Sequence, residues 1–303
     1  MAATKENTAR LSICAISFLI AMKVVASILT GSISLRADAI HSVIDLVGAI
    51  VGFVGIRIAD KPPDRQHPFG HGKAENVAGV IIAALIFIAA GTVAYQAITR
   101  LISGASVEMV AVGIYVTAAA IVINLSVAWY TLRVARRTES LALEATARDL
   151  LADVLSSGAV LVGLVLVRIT GVALLDPIVA LLVALLIFRT ACITMKKSFG
   201  GLIDTRLPHD EERKIIAVLG EHSGQIVGFH KIRTRKAGSQ RYIDFHLVVP
   251  KDTSVEKAHG LCDELEREIE ERLGYANVTI HVEPCDGNCE ECSVSPDLCR
   301  HKH

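Results

Sequence analysis

The run VAGVIIAALIFIAAGTVAYQAIT, residues 77–99, contains no Asp, Glu, Lys or Arg across 23 positions. A helix of about 20 apolar residues crosses the hydrocarbon core of a bilayer, which is about 30 Å thick. Residues 109–132 form a second such run of 24 positions, and four interrupted windows resemble it: residues 11–30, 33–56, 150–167 and 172–194. These runs lack the alternation of a barrel strand. The sequence therefore predicts an α-helical membrane protein with six transmembrane helices.

The overall composition argues against two classes of protein. The chain has 303 residues, of which 52% are hydrophobic, and its formal net charge is zero. Without a basic field, the sequence does not predict a nucleic-acid partner. It also contains no nucleophile–base pair and no phosphate-binding loop that we can identify, so we do not predict an enzyme. The expected partner is the lipid bilayer.

Lys and Arg are distributed unevenly between the two sets of helix ends. Segments 57–73 and 133–148 each contain four of them, whereas the opposite flanks carry Arg36, Arg100 and Arg168. Cytoplasmic flanks of membrane helices are enriched in these residues. The sequence therefore predicts a multi-pass protein of the cell (inner) membrane with both termini in the cytoplasm.

The composition changes after about residue 205, where charged residues become frequent and apolar runs shorten. Helix and strand patterns then follow in the order α-β-β-α-β, which predicts a small open-faced sandwich. The expected organisation is a cytoplasmic N-terminal segment (1–10), a six-helix transmembrane domain (11–200), a cytoplasmic αββαβ metal-binding domain (205–284) and a Cys-rich tail (285–303).

Two pairs of ionisable residues interrupt the membrane helices at a spacing of one turn. His41 and Asp45 form one i, i+4 pair, and Asp149 and Asp153 form the other, so each pair shares a helix face. If the two faces meet, they offer the four donors that a four-coordinate divalent ion takes. A charged Asp at the bilayer centre costs about 2.5–3.5 kcal/mol, which bound metal or protons would offset. The alternative is that these residues form hydrogen bonds that hold the helices together.

Two neighbouring charges leave alternatives open. Asp38, one turn from His41, could line an exit path or form a hydrogen bond to another helix. Lys23 could face the bundle as an ion partner, or its amine could extend to the membrane interface.

The connection between the second and third helices, DKPPDRQHPFGHGKAE (60–75), contains a second group of donors. His67 and His71 could chelate a metal ion together, and Asp64 adds an oxygen ligand. Pro and Gly are dense here, so a turn-rich connector with incidental His residues is the alternative.

A third group of donors is expected on the predicted sheet. A turn centred near Gly238 places His230 opposite His246 on adjacent strands. On the third strand, His281 and Glu283 share one face by alternation. These four residues form a candidate metal site, to which His259 on the last helix could contribute. Partly exposed His residues without metal are the alternative.

The C-terminal tail contains Cys285, Cys289, Cys292 and Cys299. In the cytoplasm a thiolate metal site is a better use for them than disulfides, and a disordered tail with reactive thiols is the alternative. The remaining cysteines, Cys14, Cys192 and Cys262, are expected to be small buried hydrophobic residues.

Several of these segments together resemble one family. TGSISLRADAIHSVID (30–45), HPFGHGKAE (67–75), ARDLLADVLSS (147–157), LDPIVALLVALLI (175–187) and IDFHLVV (243–249) are similar to the cation diffusion facilitator, or cation efflux, family across about residues 8–284. The resemblance implies a homodimer of six-helix protomers, each with a cytoplasmic αββαβ metallochaperone-like domain. It also implies export of Zn²⁺ or related divalent ions from the cytosol in exchange for protons, by alternating access.

The resemblance assigns roles to three groups of residues. It implies a membrane transport site formed by His41, Asp45, Asp149 and Asp153. It implies a loop site formed by Asp64, His67 and His71. It also implies a regulatory site between cytoplasmic domains, formed by His230, His246, His259, His281 and Glu283.

One departure from the family pattern affects the expected metal. Asp149 stands where zinc transporters of the family commonly have His. More oxygen ligands favour harder ions such as Mn²⁺ or Fe²⁺, but the cytosolic His residues and the Cys tail favour Zn²⁺, which we rank first as substrate and regulatory ligand. A membrane metal sensor or scaffold that does not transport, and a passive channel, are the alternative functions.

Overall fold

The computed structural model describes residues 4–30, 33–103, 111–172 and 174–285. Its first unit contains six helices, each long and apolar enough to cross a membrane. The predicted six-helix membrane architecture is confirmed, and the protein is a multi-pass membrane protein. The helices are α1 (Lys5–Thr30), α2 (Ile33–Ala59), α3 (Lys73–Ser103), α4 (Ala111–Thr138), α5 (Leu141–Thr170) and α6 (Leu175–Leu202).

Helix α2 packs closely against α3 and α5 because one of its faces is lined with glycine. A Cβ atom added at Gly52 would lie 2.7 Å from Thr146 Oγ1 on α5, and one added at Gly55 would lie 2.5 Å from the Cβ of Ala78 on α3. Small residues allow membrane helices to approach, since lipid gives little hydrophobic drive for their association. The glycines therefore bring α2 within reach of the α5 ligands.

A buried carboxylate joins three helices near the start of α5. Glu75 on α3 is fully buried; it accepts a hydrogen bond from Lys5 Nζ at 3.0 Å and another from the backbone N–H of Leu141 at 2.8 Å. Ser140 caps the same helix end by accepting from the N–H of Leu143. Helix N-termini have unpaired N–H groups that favour negative charge, so Glu75 fixes the position of α5.

The second unit begins at Gly201 and has the predicted αββαβ order. Strands β1 and β2 are antiparallel, and β3 lies parallel beside β2 in the order β1-β2-β3. The predicted mixed helix–sheet domain is therefore confirmed. Its elements are α7 (His209–Glu221), β1 (Gly228–Ala237), β2 (Gln240–Val249), α8 (Val255–Leu273) and β3 (Ala276–Pro284).

The core of this unit lies between one face of the sheet and the two helices. Phe245 and Leu247 of β2 pack in one cluster with Leu219 of α7 and Leu265 of α8. Side chains alternate along a strand, so His246 stands on the opposite face. The helices thus leave one face of the sheet for the polar residues.

The centre of the β1–β2 turn lies half a residue beyond the predicted centre at Gly238, between residues 238 and 239. Ala237 pairs with Gln240, so Gly238 and Ser239 form a two-residue loop instead of a turn centred on Gly238. A bulge between His230 and Arg233 then shifts the register back. The predicted pairing of His230 with His246 is therefore present, because two deviations compensate.

The cysteine predictions were partly wrong. Cys262 is buried, but Cys14 of α1 and Cys192 of α6 are exposed. A small apolar residue is suited to a lipid-facing surface as well as to a core. Cys285 is half-buried, and Cys289, Cys292 and Cys299 lie outside the described residues.

Candidate metal centres

Three of the predicted membrane ligands come together between α2 and α5. His41, Asp45 and Asp153 each offer one ligand atom, and these atoms lie within 4.8 Å of one another. Asp153 is 6% exposed. The i, i+4 spacing on α2 places His41 and Asp45 on one face, and the close approach of α2 to α5 brings Asp153 to that face.

Asp149, the fourth predicted ligand, lies near this group but outside it. It is 6% exposed, and its Oδ2 atom lies 3.3 Å from the point where a Cβ on Gly48 would stand. It is not a member of the three-residue group. The structure therefore places Asp149 against α2, one turn from Asp153, and brings three of the four predicted ligands within 4.8 Å of one another.

A buried lysine of α1 lies next to this cluster. Lys23 on α1 is 1% exposed and donates to Ser42 Oγ, next to His41, at 2.8 Å. Of the two predicted alternatives, Lys23 thus faces the bundle. The side chain of Asp38 lies outside the part of the chain that the structure describes.

Asn124 on α4 was not predicted from the sequence as part of the site. Its Nδ2 atom donates to Asp153 Oδ2, and the side chain is 4% exposed. The available signal was a lone amide in the run 109–132, which lacks Asp, Glu, Lys and Arg. An Asn in a membrane helix needs a polar partner, but the sequence does not identify that partner.

The loop group comes together as predicted, around Asp64. Its Oδ1 atom accepts from the backbone N–H groups of Gln66 and His67 at 2.8 and 2.7 Å, and its Oδ2 atom lies 3.4 Å from His71 Nε2. The N–H of His67 is the main cause that lowers the pKa of Asp64. A local turn therefore holds an ionised carboxylate beside two imidazoles whose ring centroids are 4.4 Å apart.

On the open face of the sheet, Glu283 joins two histidines. Its Oε2 atom lies 3.0 Å from His230 Nε2, and its Oε1 atom lies 2.7 Å from His246 Nδ1. The hydrogen bond with His246 is the main cause that lowers the pKa of Glu283. His281 stands beside this group, with its ring centroid 4.7 Å from that of His246. The predicted cross-strand cluster is thus assembled from three strands.

His259 lies apart from this cluster within one chain. Its Nδ1 atom is 3.2 Å from Asp263 on the same helix, and its side chain is 74% exposed. Helix α8 packs its apolar side against the sheet face opposite the histidines, so its outer side cannot reach them. The interpretation of His259 as a member of this set is therefore not met by the geometry of a single chain.

A fourth group was not predicted from the sequence. His222, at the end of α7, lies near Glu264 and Glu268 of α8, and their ligand atoms are within 4.8 Å of one another. His222 Nε2 is 3.2 Å from Glu268 Oε2. The i, i+4 spacing of the two Glu residues was visible, but the position of His222 depends on how the helices pack. This contact links the two helices.

Two family models match consecutive parts of the chain. Residues 9–203 match the cation efflux transmembrane domain, and residues 207–285 match the cytoplasmic domain of cation efflux proteins. Together they include all three groups of ligands that the sequence predicted.

Curated relatives match over nearly the full chain. An uncharacterized transporter of Synechocystis is 37% identical over 276 residues, which cover 91% of this chain and 89% of the relative. The cation-efflux pump FieF of Serratia proteamaculans is 32% identical over 269 residues, 89% of each chain.

Two solved structures match a smaller part. The structure of CzrB in its zinc form is 46% identical, with a TM-score of 0.25, and covers 26% of this chain and 90% of that one. The metal-bound C-terminal domain of the CzcD transporter from Thermotoga maritima is 33% identical, with a TM-score of 0.24, and covers 25% and 87%.

Proposed function

Because this chain belongs to the cation efflux, or cation diffusion facilitator, family, we propose that it is a divalent cation/proton antiporter that exports Zn²⁺ from the cytosol. Fe²⁺ and Mn²⁺ are the further candidate substrates. The observation that carries this proposal is the convergence of His41, Asp45 and Asp153 within 4.8 Å between two membrane-spanning helices. Family members are transporters, and this position in the span suits a transported ion better than a catalytic one.

The electrostatics of the membrane site support a divalent cation as its occupant. Two converging carboxylates, with Asp149 one turn away, place several acidic groups where the bilayer makes each charge costly. A divalent ion offsets that charge while it is bound. One imidazole and two carboxylates also match the ligand types that Zn²⁺ accepts.

Proton exchange follows from the chemistry of the same ligands. His41 and the carboxylates must be deprotonated to bind a metal ion. In an outward-facing state, protons that enter the site compete with the ion and release it. The protonated protein then returns to the inward-facing state, so the same ligands bind the metal ion and the protons in turn. Alternating access, in which the helices rock between the two states, exposes these ligands first to one side of the membrane and then to the other.

Orientation and assembly are part of the proposal. The excess of Lys and Arg around the loop 60–72 and at 133–148 supports cytoplasmic termini. The loop group and the His230–His246–Glu283 group then both face the cytosol, where they would bind metal before transport or regulate it. A homodimer is proposed because residues 207–285 match the cytoplasmic domain of cation efflux proteins.

Flux in proteoliposomes with an imposed proton gradient tests this function. Zn²⁺, Fe²⁺ and Mn²⁺ are compared for the native chain and for Asp153→Ala, with Ser126→Ala as control, because Ser126 lies exposed on α4 and bonds only the backbone of its own helix among the described residues. We expect proton-dependent Zn²⁺ flux that Asp153→Ala abolishes and Ser126→Ala leaves unchanged. Zn²⁺ flux that does not depend on the imposed proton gradient would instead indicate a channel.

A membrane metal sensor is the second candidate, and the cytoplasmic cluster is the observation that favours it. Glu283 joins His230 and His246 within the second unit, so this group could bind a metal ion whether or not the protein transports one. Zn²⁺ binding without flux of any of the three ions would support the sensor and contradict the antiporter.

A further inference from the structure

Asn124 presents an energetic problem that the ligand set alone does not solve. It lies on α4, which carries none of the predicted ligands, and its side chain is 4% exposed. A buried amide without hydrogen-bond partners destabilises a protein, and a membrane interior provides no water to replace them. The presence of Asn124 at this depth therefore needs a compensating contact.

One half of the amide has such a contact and the other half does not. Asn124 Nδ2 donates to Asp153 Oδ2, whereas Asn124 Oδ1 is buried and has no hydrogen-bond partner among the residues that the structure describes. The opposite orientation of the amide would set its carbonyl oxygen against a carboxylate oxygen, which pairs two acceptors. The chemistry therefore fixes the orientation, with Nδ2 towards Asp153.

The planar amide places the unpartnered acceptor beside the metal ligands. Nδ2 and Oδ1 are bonded to the same carbon atom, so Oδ1 lies at the end of the side chain that contacts Asp153. A carbonyl oxygen there can bind a hard cation or accept a hydrogen bond from a water molecule on the cation. Three candidate ligands converge at this site, and Asp149 is buried one turn from Asp153.

We propose that Asn124 is a positioning residue of the membrane cation site. The inference rests on the function proposed above. The N–H group at Nδ2 of Asn124 donates to one oxygen of Asp153 and so fixes the orientation of this carboxylate. Oδ1 of Asn124 faces the same cluster as an acceptor for a water molecule on the cation. Asn124 thus orients Asp153, one of the three converging candidate ligands, towards the cation.

The test separates affinity from rate. Zn²⁺ flux is measured against Zn²⁺ concentration for the native chain, for Asn124→Leu, which is close in size and apolar, and for the control Ser126→Ala. Loss of a residue that orients a metal ligand typically weakens metal affinity by about 10- to 100-fold. We expect the KM of Asn124→Leu to rise by that factor with little change in maximal rate, and the control to match the native chain. An unchanged KM, or a fall in maximal rate alone, would overturn the proposal.

Two additions keep the test decisive. If Asn124→Leu does not fold, Asn124→Ala is used instead, because it removes the amide without adding volume. A folded Asn124→Ala protein with the native KM would also overturn the proposal. If the native chain moves no ion, Zn²⁺ binding is measured in nanodiscs, in a background in which His67→Ala, His222→Ala and His230→Ala each remove one ligand from the other three candidate groups. Weaker binding by Asn124→Leu then supports the positioning role although transport has failed; equal binding contradicts it.

Discussion

At the scale of single residues, Asp149 has the clearest influence on the choice of metal. It is buried against Gly48, one turn from Asp153, and remains outside the group of three converging ligands. A carboxylate at this position adds negative charge and a hard oxygen donor close to the cation. An imidazole would add a softer nitrogen donor and remove one negative charge.

We therefore predict that Asp149→His moves the preference of the transporter towards Zn²⁺. The ratio of the KM for Mn²⁺ to the KM for Zn²⁺ should rise by about 10-fold, which corresponds to about 1.4 kcal/mol of differential binding. The measurement is the KM of each ion for flux in proteoliposomes. Asp149→Asn is the control, because it removes the charge without supplying an imidazole. If both variants shift the ratio equally, charge and not ligand type determines selectivity.

The residues of the site could be predicted from the sequence only where chemistry and spacing coincide. His41 and Asp45 stand one turn apart in an apolar helix, and Asp64, His67 and His71 are close in the chain. Both sets could therefore be predicted as candidate ligands from the sequence. Asn124 could not, because a single amide has no spacing partner. His259 was predicted as a further ligand, but its distance from the other histidines depends on the side of the sheet that α8 covers.

At the scale of elements, the glycine face of α2 determines how closely the site helices approach. A Cβ at Gly55 would overlap the Cβ of Ala78 at 2.5 Å and crowd the carbonyl oxygen of Ala74 at 3.2 Å. Neither contact involves the end of a flexible side chain, so the helices themselves would have to move apart.

Gly55→Ala is accordingly expected to destabilise the membrane unit. Overpacking of this kind costs typically about 1–3 kcal/mol, and the separation of α2 from α3 should also lower flux. Thermal unfolding in detergent measures the stability. Gly91→Ala on α3 is the matched control, since a Cβ there meets nothing within 4 Å. An equal effect of the two substitutions would mean that helix flexibility, not close packing, explains the glycine.

The bulge in β1 is the element that aligns the cytoplasmic histidines. Lys231 adopts a positive φ of 52°, at the point where the register shifts between His230 and Arg233. A one-residue slip would turn side chains to the opposite face of the sheet. The pattern of strands could be predicted from alternation, but the bulge could not, because Lys gives no signal for a left-handed backbone.

We predict that Lys231→Gly stabilises the cytoplasmic unit while leaving metal binding intact. Left-handed backbone costs a residue other than glycine roughly 1–2 kcal/mol, so the exchange should stabilise by up to about 1 kcal/mol once the extra chain entropy of glycine is included. Lys236→Gly on the same strand has no positive φ and should destabilise. Hydrogen exchange of the β1 amides reports both changes. Reduced protection in Lys231→Gly would contradict this account of the bulge.

At the scale of the whole molecule, the chain divides into a membrane unit and a unit that starts at Gly201. Each has its own core and two candidate metal groups among the described residues. The division itself could be predicted from the change of composition near residue 205, since a bilayer and water select different side chains. How the two units influence each other could not, because that depends on the conformations through which the protein moves.

The cytoplasmic cluster gives this influence a testable form. If metal bound by His230, His246 and Glu283 stabilises one arrangement of paired cytoplasmic units, it shifts the equilibrium between transport states by its differential affinity for them. The proposed homodimer would then need more metal to become active when one ligand is missing. Removing a ligand of the cytoplasmic cluster leaves the membrane ligands unchanged, so transport at saturating metal should persist.

We therefore expect His246→Ala to raise the Zn²⁺ concentration for half-maximal flux by about 10-fold or more, the usual effect of weakening a metal site, while maximal flux stays near the native value. The measurement is flux at a fixed proton gradient over a series of cytosolic-side Zn²⁺ concentrations. His209→Ala is the control, because His209 is 97% exposed and lies outside the cluster. An unchanged concentration dependence in His246→Ala would show that the cytoplasmic cluster does not regulate transport. A fall in maximal flux alone would instead assign His246 to the transport cycle itself, since a regulatory ligand alters the metal needed for activation and not the rate of the activated protein.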